Sequence, residues 1–233
     1  MLMLMALMSG ALAAEDADKK LDPARLEADQ VIIGEIVLEK QDVFDLSIPK
    51  ENNALFRLAN RLHIITKDSV IKKQLLFEQG DVFSKRLSDE TARLLRRNPY
   101  FYDVSITPKN RKDGTVDLHV KTRDVWTLKP GLSYSRKGGE DKSSVSLEEL
   151  NLLGRGQQLL FARSSDVDRD STLFEFRDRN VGQNWLSVRM RLADNSDGKS
   201  NLLAIARPFY ALDTRWAAGG SVLAEVREES LYQ

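Results

Sequence analysis

From Thr127 onward the apolar residues stop falling at helical spacing and alternate one-on, one-off through successive runs of about ten residues. Trp185-Leu-Ser-Val-Arg-Met-Arg-Leu192 sets Leu186, Val188, Met190 and Leu192 on one face and Ser187, Arg189 and Arg191 on the other. Thr172 to Arg177 repeats the device, with Phe174 and Phe176 opposed to Glu175 and Arg177. Turn sequences at Lys137-Gly-Gly-Glu140 and Asn195-Ser-Asp-Gly198 punctuate the runs. The pattern predicts about seven strands, near residues 128–137, 142–150, 156–165, 170–178, 184–194, 200–207 and 215–226. Two environments satisfy it. A soluble sheet would pack one face on a core and wet the other, and a membrane barrel would turn its apolar side chains to lipid and its charges to a wet lumen. Spanning-length strands with no helix between them favour the barrel.

Residues 31–126 follow different rules. Val31 to Phe44, rich in Val and Ile, reads as a strand. Leu55, Leu58, Ala59 and Leu62 fall at the spacing of an amphipathic helix. A second helix is expected from Lys67 to Gln79, with Thr66 or Asp68 as its N-cap and Gly80 after its end. A third begins at Ser88 or Asp89, carries Leu94 and Leu95 inward and stops before Pro99. Two alternating strands follow, Tyr102 to Thr107 and Val116 to Arg123, joined through Asp113-Gly114. One strand, two or three helices and a hairpin make an α+β domain with helices on one face of an antiparallel or mixed sheet.

Ahead of this domain, Met1 to Ala14 has the apolar core and the Ala11-Leu12-Ala13 cleavage signature of a secretory signal peptide. It is too short to span a bilayer as a helix, and no Lys or Arg precedes it, so either the true start lies upstream, which is the expectation, or this is a buried N-terminal segment. Residues 15–30 read as a flexible lead-in.

The chain has 35 basic and 35 acidic side chains, a balance that argues against nucleic acid as a partner. It has no cysteine, which removes disulfides, thiolate zinc sites and thiol nucleophiles. Asp166-Val-Asp168-Arg-Asp170 opens like a calcium loop, but Ser171 and Arg177 stand where Gly and Glu belong, leaving a strand-connecting loop. Gly154-Arg-Gly156 lacks the third glycine of a dinucleotide site. Gly131-Leu-Ser133-Tyr-Ser135 lacks the closing glycine of a nucleophile elbow. His63 and His119 read as structural, and Glu148 and Glu149 point to opposite faces of one strand. Trp126, Trp185 and Trp216 read as girdle or lumen positions of a barrel. No catalytic, cofactor-binding or metal-binding residue is assigned.

Asp68-Ser-Val-Ile-Lys-Lys-Gln-Leu-Leu-Phe-Glu-Gln-Gly-Asp81 and Asn98-Pro-Tyr-Phe-Tyr-Asp-Val104 resemble a POTRA domain. Asn151-Leu-Leu-Gly-Arg-Gly-Gln157 and Arg207-Pro-Phe-Tyr-Ala-Leu-Asp-Thr-Arg-Trp216 resemble the start of the barrel in the BamA/TamA-like superfamily of outer-membrane assembly and secretion proteins. The helix at Glu51 to Leu62 departs from the shortest POTRA pattern. The resemblance implies an α+β POTRA-like periplasmic domain over 31–126, then the first part of an antiparallel transmembrane β-barrel over 127–233. The barrel is expected to be truncated, since about seven strands cannot close the family's roughly 16. It also implies residence in a bacterial outer membrane, the lipid bilayer as a partner, unfolded or nascent outer-membrane and secreted proteins as clients, and periplasmic or lipoprotein partner subunits. Clients would add a strand to an exposed sheet edge. Val104-Ser105-Ile106-Thr107 is the candidate edge, against the alternative that this strand pairs within the sheet. Two other readings stay open: a barrel that anchors or translocates an attached passenger, as in patatin-like proteins, and a soluble α+β binding protein.

Overall fold

The computed structural model describes residues 21–112, 114–182 and 184–228. The signal-peptide expectation at residues 1–14, Asp113 of the predicted turn and the last five residues lie outside the described residues. The N-terminal unit runs α1 (Pro23–Ala28), β1 (Ile32–Gln41), α2 (Ala54–Leu62), α3 (Asp68–Lys72), α4 (Lys85–Arg96), β2 (Phe101–Lys112) and β3 (Thr115–Asp124). Its sheet order is β1-β3-β2, with β1 parallel and β2 antiparallel to the central β3. Val116, Leu118 and Val120 alternate along β3 and are wholly buried on one face. Against them pack Leu26, Ile33 and Phe83 at one end and Ile71, Leu95, Tyr100 and Val104 at the other. Burial pushes the Tyr100 phenol up to about 12, so it stays neutral and hydrogen-bonded to Gln74 Nε2 at 3.3 Å.

The helices differ from their sequence expectations in four ways, each with a local cause. The lead-in of residues 15–30 is not wholly flexible. Asp22 caps α1 through the Ala24 amide at 3.0 Å, Pro23 opens the helix, and Leu26, 1% exposed, enters the core. α4 starts at Lys85 rather than at Ser88 or Asp89 because Ser84 takes the cap, accepting from the Leu87 amide at 3.4 Å. The second predicted helix is only the five residues of α3, with Lys67 at the N-cap position making no side-chain cap bond. Beyond it the chain is irregular, which carries Phe77 into the core. In α2 the expected inward stripe faces out: Leu55 is 68% and Leu62 62% exposed. That helix is held instead by Phe56, stacked on Phe44 at 3.9 Å, and by Asn60, whose amide bonds both the N–H and the C=O of Phe44.

Seven strands follow: β4 (Leu128–Lys137), β5 (Glu140–Glu149), β6 (Gln157–Ser165), β7 (Asp170–Val181), β8 (Leu186–Asn195), β9 (Gly198–Arg207) and β10 (Ala218–Arg227). They form one antiparallel sheet in strict sequence order, with β4 and β10 as its open edges. The register stacks Leu147, Phe161, Phe174 and Leu192 across one face. Among the described residues these apolar groups meet no second layer, and Phe161 stays 48% and Leu192 42% exposed. On the opposite face Glu175 takes a two-point bond from Arg189 at 3.0 and 2.9 Å and a third from Arg177 at 2.9 Å. Charge inside and apolar groups outside is the lumen-and-lipid arrangement of a barrel wall. Among the described residues no helix is long and apolar enough to cross a membrane, which says nothing about crossing by strands.

Leu26→Ala tests whether α1 is structural. Emptying that site is expected to cost about 3 kcal/mol, read as faster hydrogen exchange at the Val116 and Leu118 amides of the full chain. Unchanged protection would return α1 to the flexible lead-in.

Candidate functional site

The predicted edge segment lies in β2, which has β3 on one side and, among the described residues, no strand on the other. Val104, Ser105, Ile106 and Thr107 pair with Thr122, Lys121, Val120 and His119. The Arg96 guanidinium, reaching over from α4, donates to the Val104 carbonyl from Nε at 3.0 Å and Nη2 at 2.7 Å. Pro108, which has no N–H to donate, sits at the same parity as Val104 and Ile106. Proline is tolerated in a sheet where its missing donor would face away from the ladder. The outward backbone rail is therefore that of Val104 and Ile106, while Ser105 and Thr107 turn their backbone groups to β3.

The N-terminal unit meets the larger sheet in a buried polar knot. Asp124, at the end of β3, accepts at Oδ2 from the Thr66 amide at 2.8 Å, the Thr66 hydroxyl at 2.9 Å and His63 Nε2 at 3.0 Å. The Thr66 hydroxyl in turn accepts from Asn151 Nδ2 at 2.8 Å, and Asn151 Oδ1 accepts from the Gly156 amide at 2.6 Å. Thr66, Asp124 and Asn151 are at most 2% exposed. Alongside, the Lys67 amide donates to the Gly154 carbonyl at 2.9 Å. Both glycines are required by this closeness: a Cβ on Gly154 would lie 2.6 Å from the Ile65 carbonyl, and one on Gly156 3.0 Å from the Tyr100 hydroxyl. Both also have positive φ, +70° and +74°, which favours glycine. So Asn151 to Gln157 is the turn on which the N-terminal unit sits.

Arg207 to Trp216 forms the long connection between β9 and β10 on that same side. The Arg207 guanidinium lies between two rings, 4.1 Å from the Trp216 centroid and 4.9 Å from that of Tyr210. It also donates to the Trp216 carbonyl at 3.0 Å and the Tyr210 hydroxyl at 3.1 Å. Tyr210 stacks on Trp185 at 4.3 Å, which links this loop to the β7–β8 turn. Farther along, Asp213 pairs with Arg86 at 2.6 Å and the Leu212 amide donates to Glu90 at 3.3 Å, tying the loop to α4. The Arg93 guanidinium beside Glu90 holds that carboxyl below its usual range.

The remaining sequence motifs settle as structure. Asp166 Oδ1 accepts from the Asp168 and Arg169 amides and so shapes its own turn. His119 bonds Glu39 on the solvent-facing side of the small sheet. Sequence reasoning missed the Thr66–Asp124–Asn151 knot. The only local hint was a threonine at a candidate cap position.

Residues 63–124 match the POTRA family, described as surface antigen variable number repeat. A protein of Treponema pallidum (strain Nichols), named as a candidate outer membrane protein assembly factor, is 32% identical over 102 residues; this covers 40% of the chain but 12% of that relative. Among solved structures, CdiB from Acinetobacter baumannii aligns with a TM-score of 0.51 at 13% identity, over 85% of this chain and 40% of that one. BamA from Haemophilus ducreyi lacking POTRA domains 1–3 gives 0.47 at 16% identity, over 73% and 31%. The chain thus spans well under half the length of each of these relatives.

Asn151→Ala removes two buried hydrogen bonds at the knot and is expected to weaken the junction by about 2–3 kcal/mol. Gly154→Val should do the same through its clash with Ile65. In both variants the Lys67 and Gly156 amides should exchange faster while Val120 keeps its protection. Loss of Val120 protection as well would mean that the junction and the small sheet open as one unit.

Proposed function

We propose that this chain, with the POTRA domain and barrel-type sheet of the BamA/TamA-like superfamily, acts in the assembly or translocation of outer-membrane or secreted proteins. The observation that carries this reading is a free β2 edge on a unit docked by buried hydrogen bonds onto the turns of an open antiparallel sheet. The sheet sits in the outer-membrane bilayer and the POTRA unit in the periplasm. An unfolded client segment, or a periplasmic or lipoprotein partner subunit, pairs as an added strand along the outward rail of Val104 and Ile106. Main-chain hydrogen bonds supply the affinity in such pairing, so sequence-diverse clients are accepted. Arg96 occupies one acceptor on that rail, and an arriving strand takes over the Val104 carbonyl. The assigned work is binding and guidance, with no catalytic group. The name of the Treponema pallidum relative and the POTRA match support the reading.

Ile106→Pro deletes an outward N–H while leaving the inward rail to β3 untouched. Binding of a fluorescent outer-membrane-protein strand peptide to the full chain in detergent micelles should weaken at least about fivefold, with Val120 exchange unchanged. Wild-type peptide affinity in that variant sinks the edge mechanism.

A further inference from the structure

A cavity of about 680 Å³ lies between the N-terminal unit and the turns of the large sheet. Its walls come from α3, the end of α4, the start of β6, the β7–β8 turn and the β9–β10 loop. Lys67, Lys73, Arg97, Arg155 and Arg179 line it, against the single carboxylate of Asp178. In a chain with no net charge this is a strong local excess. None of the five cations takes part in an ion pair among the described residues. Asp178 is engaged elsewhere, accepting from Gln157 Nε2 and the Asn180 amide, both at 3.0 Å. The described side-chain bond of Arg179 runs at 3.4 Å to the Arg97 carbonyl, which sets Arg179 against the end of α4.

Like charges gathered in a concave site repel one another, and an anion with several acceptor oxygens relieves that repulsion best. The wall also carries apolar and aromatic groups, Val70, Leu94, Trp185, Phe209 and Tyr210, set among the polar side chains of Gln74, Asn98 and Asn180. Phe209 is 66% exposed and Trp216, on the same loop, 57%. Tryptophan and tyrosine collect where strand ends meet the headgroup layer of a membrane, and basic pockets at that depth hold lipid phosphates.

We propose that this cavity is a binding site for the phosphate headgroup of an anionic phospholipid in the leaflet facing the POTRA unit. The cations take the phosphate and the exposed rings of the β9–β10 loop lie along the first acyl carbons. Bound there, one lipid touches α3, α4 and three connections of the sheet, and so links the angle of the POTRA unit to the local membrane. The site rests on the outer-membrane reading for its lipid, but its binding chemistry is tested apart from insertion.

The test uses the full chain in a neutral detergent and measures binding of monomeric dihexanoyl-phosphatidylglycerol, its phosphatidylcholine counterpart and inorganic phosphate. The expected result is saturable binding of the phosphatidylglycerol, weakened at least about tenfold for Lys73→Gln/Arg179→Gln and also for Arg97→Gln/Arg155→Gln, with Val120 exchange unchanged. Two double variants on different segments guard against one of them merely misfolding. Equal affinity for inorganic phosphate, or for the phosphatidylcholine, overturns the anionic-headgroup assignment. No saturable binding of any of the three overturns the site. Because the short-chain lipid is free in solution, a chain that fails to enter outer membranes but still binds it would remove the localisation and leave the site standing.

Discussion

A single carboxylate oxygen, Asp124 Oδ2, accepts three buried hydrogen bonds, and the arrangement of the whole chain turns on it. Burying a carboxylate costs several kcal/mol unless its oxygens are well supplied with donors. Asp124 is supplied at Oδ2 by the segment entering α3, at Thr66, and at the end of α2, at His63, while its buried Oδ1 takes no hydrogen bond among the described residues. The Thr66 hydroxyl then passes the connection to Asn151, in the first POTRA-side turn of the large sheet. Thr66 and Asn151 each serve two partners, so neither can be lost without stranding another group in a dry place. That is a stiffer joint than a linker and a more specific one than an apolar patch, because it accepts one geometry.

The rest of the molecule is arranged around this joint. Loops of the large sheet alternate between its two ends, and those on the joint side carry the contacts: Asn151 to Gly156, Trp185 and Arg207 to Trp216. Arg207, held between two rings and bonded to both of their residues, gives a ten-residue connection a fixed shape, and Asp213 and Leu212 pin it to α4. The sheet itself is two-faced in the sense a bilayer demands, with Glu175 and its arginines on one side and Phe161, Phe174 and Leu192 on the other. The small sheet keeps one strand edge outward at the same end. The open edge of β2 and the two-faced sheet are thereby tied together through buried hydrogen bonds.

Much of this was legible in the chain. All seven strands of the large sheet lie within a few residues of the alternating runs, because period-two patterning and Gly-containing turns are local signals that no distant contact needs to confirm. The α+β order before Trp126 was legible for the same reason. What failed was local reading of helices whose fate is decided elsewhere. Six residues with one large apolar side chain hold no period, so α1 shows only through Leu26 reaching the core. The Leu55, Leu58 and Leu62 stripe has the right spacing, yet faces out because Phe56 and Asn60 fasten α2 to Phe44.

The sequence by itself thus determined the division into an α+β unit and an alternating-strand sheet, the strand limits and the hairpin turns, since each follows from the period of side chains along a few residues. Only the tertiary structure decided which polar residues would be spent on the joint, that β2 would keep a free rail, and that five cations from four separate segments would share one cavity. Those outcomes depend on residues brought together from far along the chain, as Thr66 and Asn151 are across 85 positions. A period along the chain carries no information about such pairings; they are selected by the burial of groups that must find a partner once water is gone.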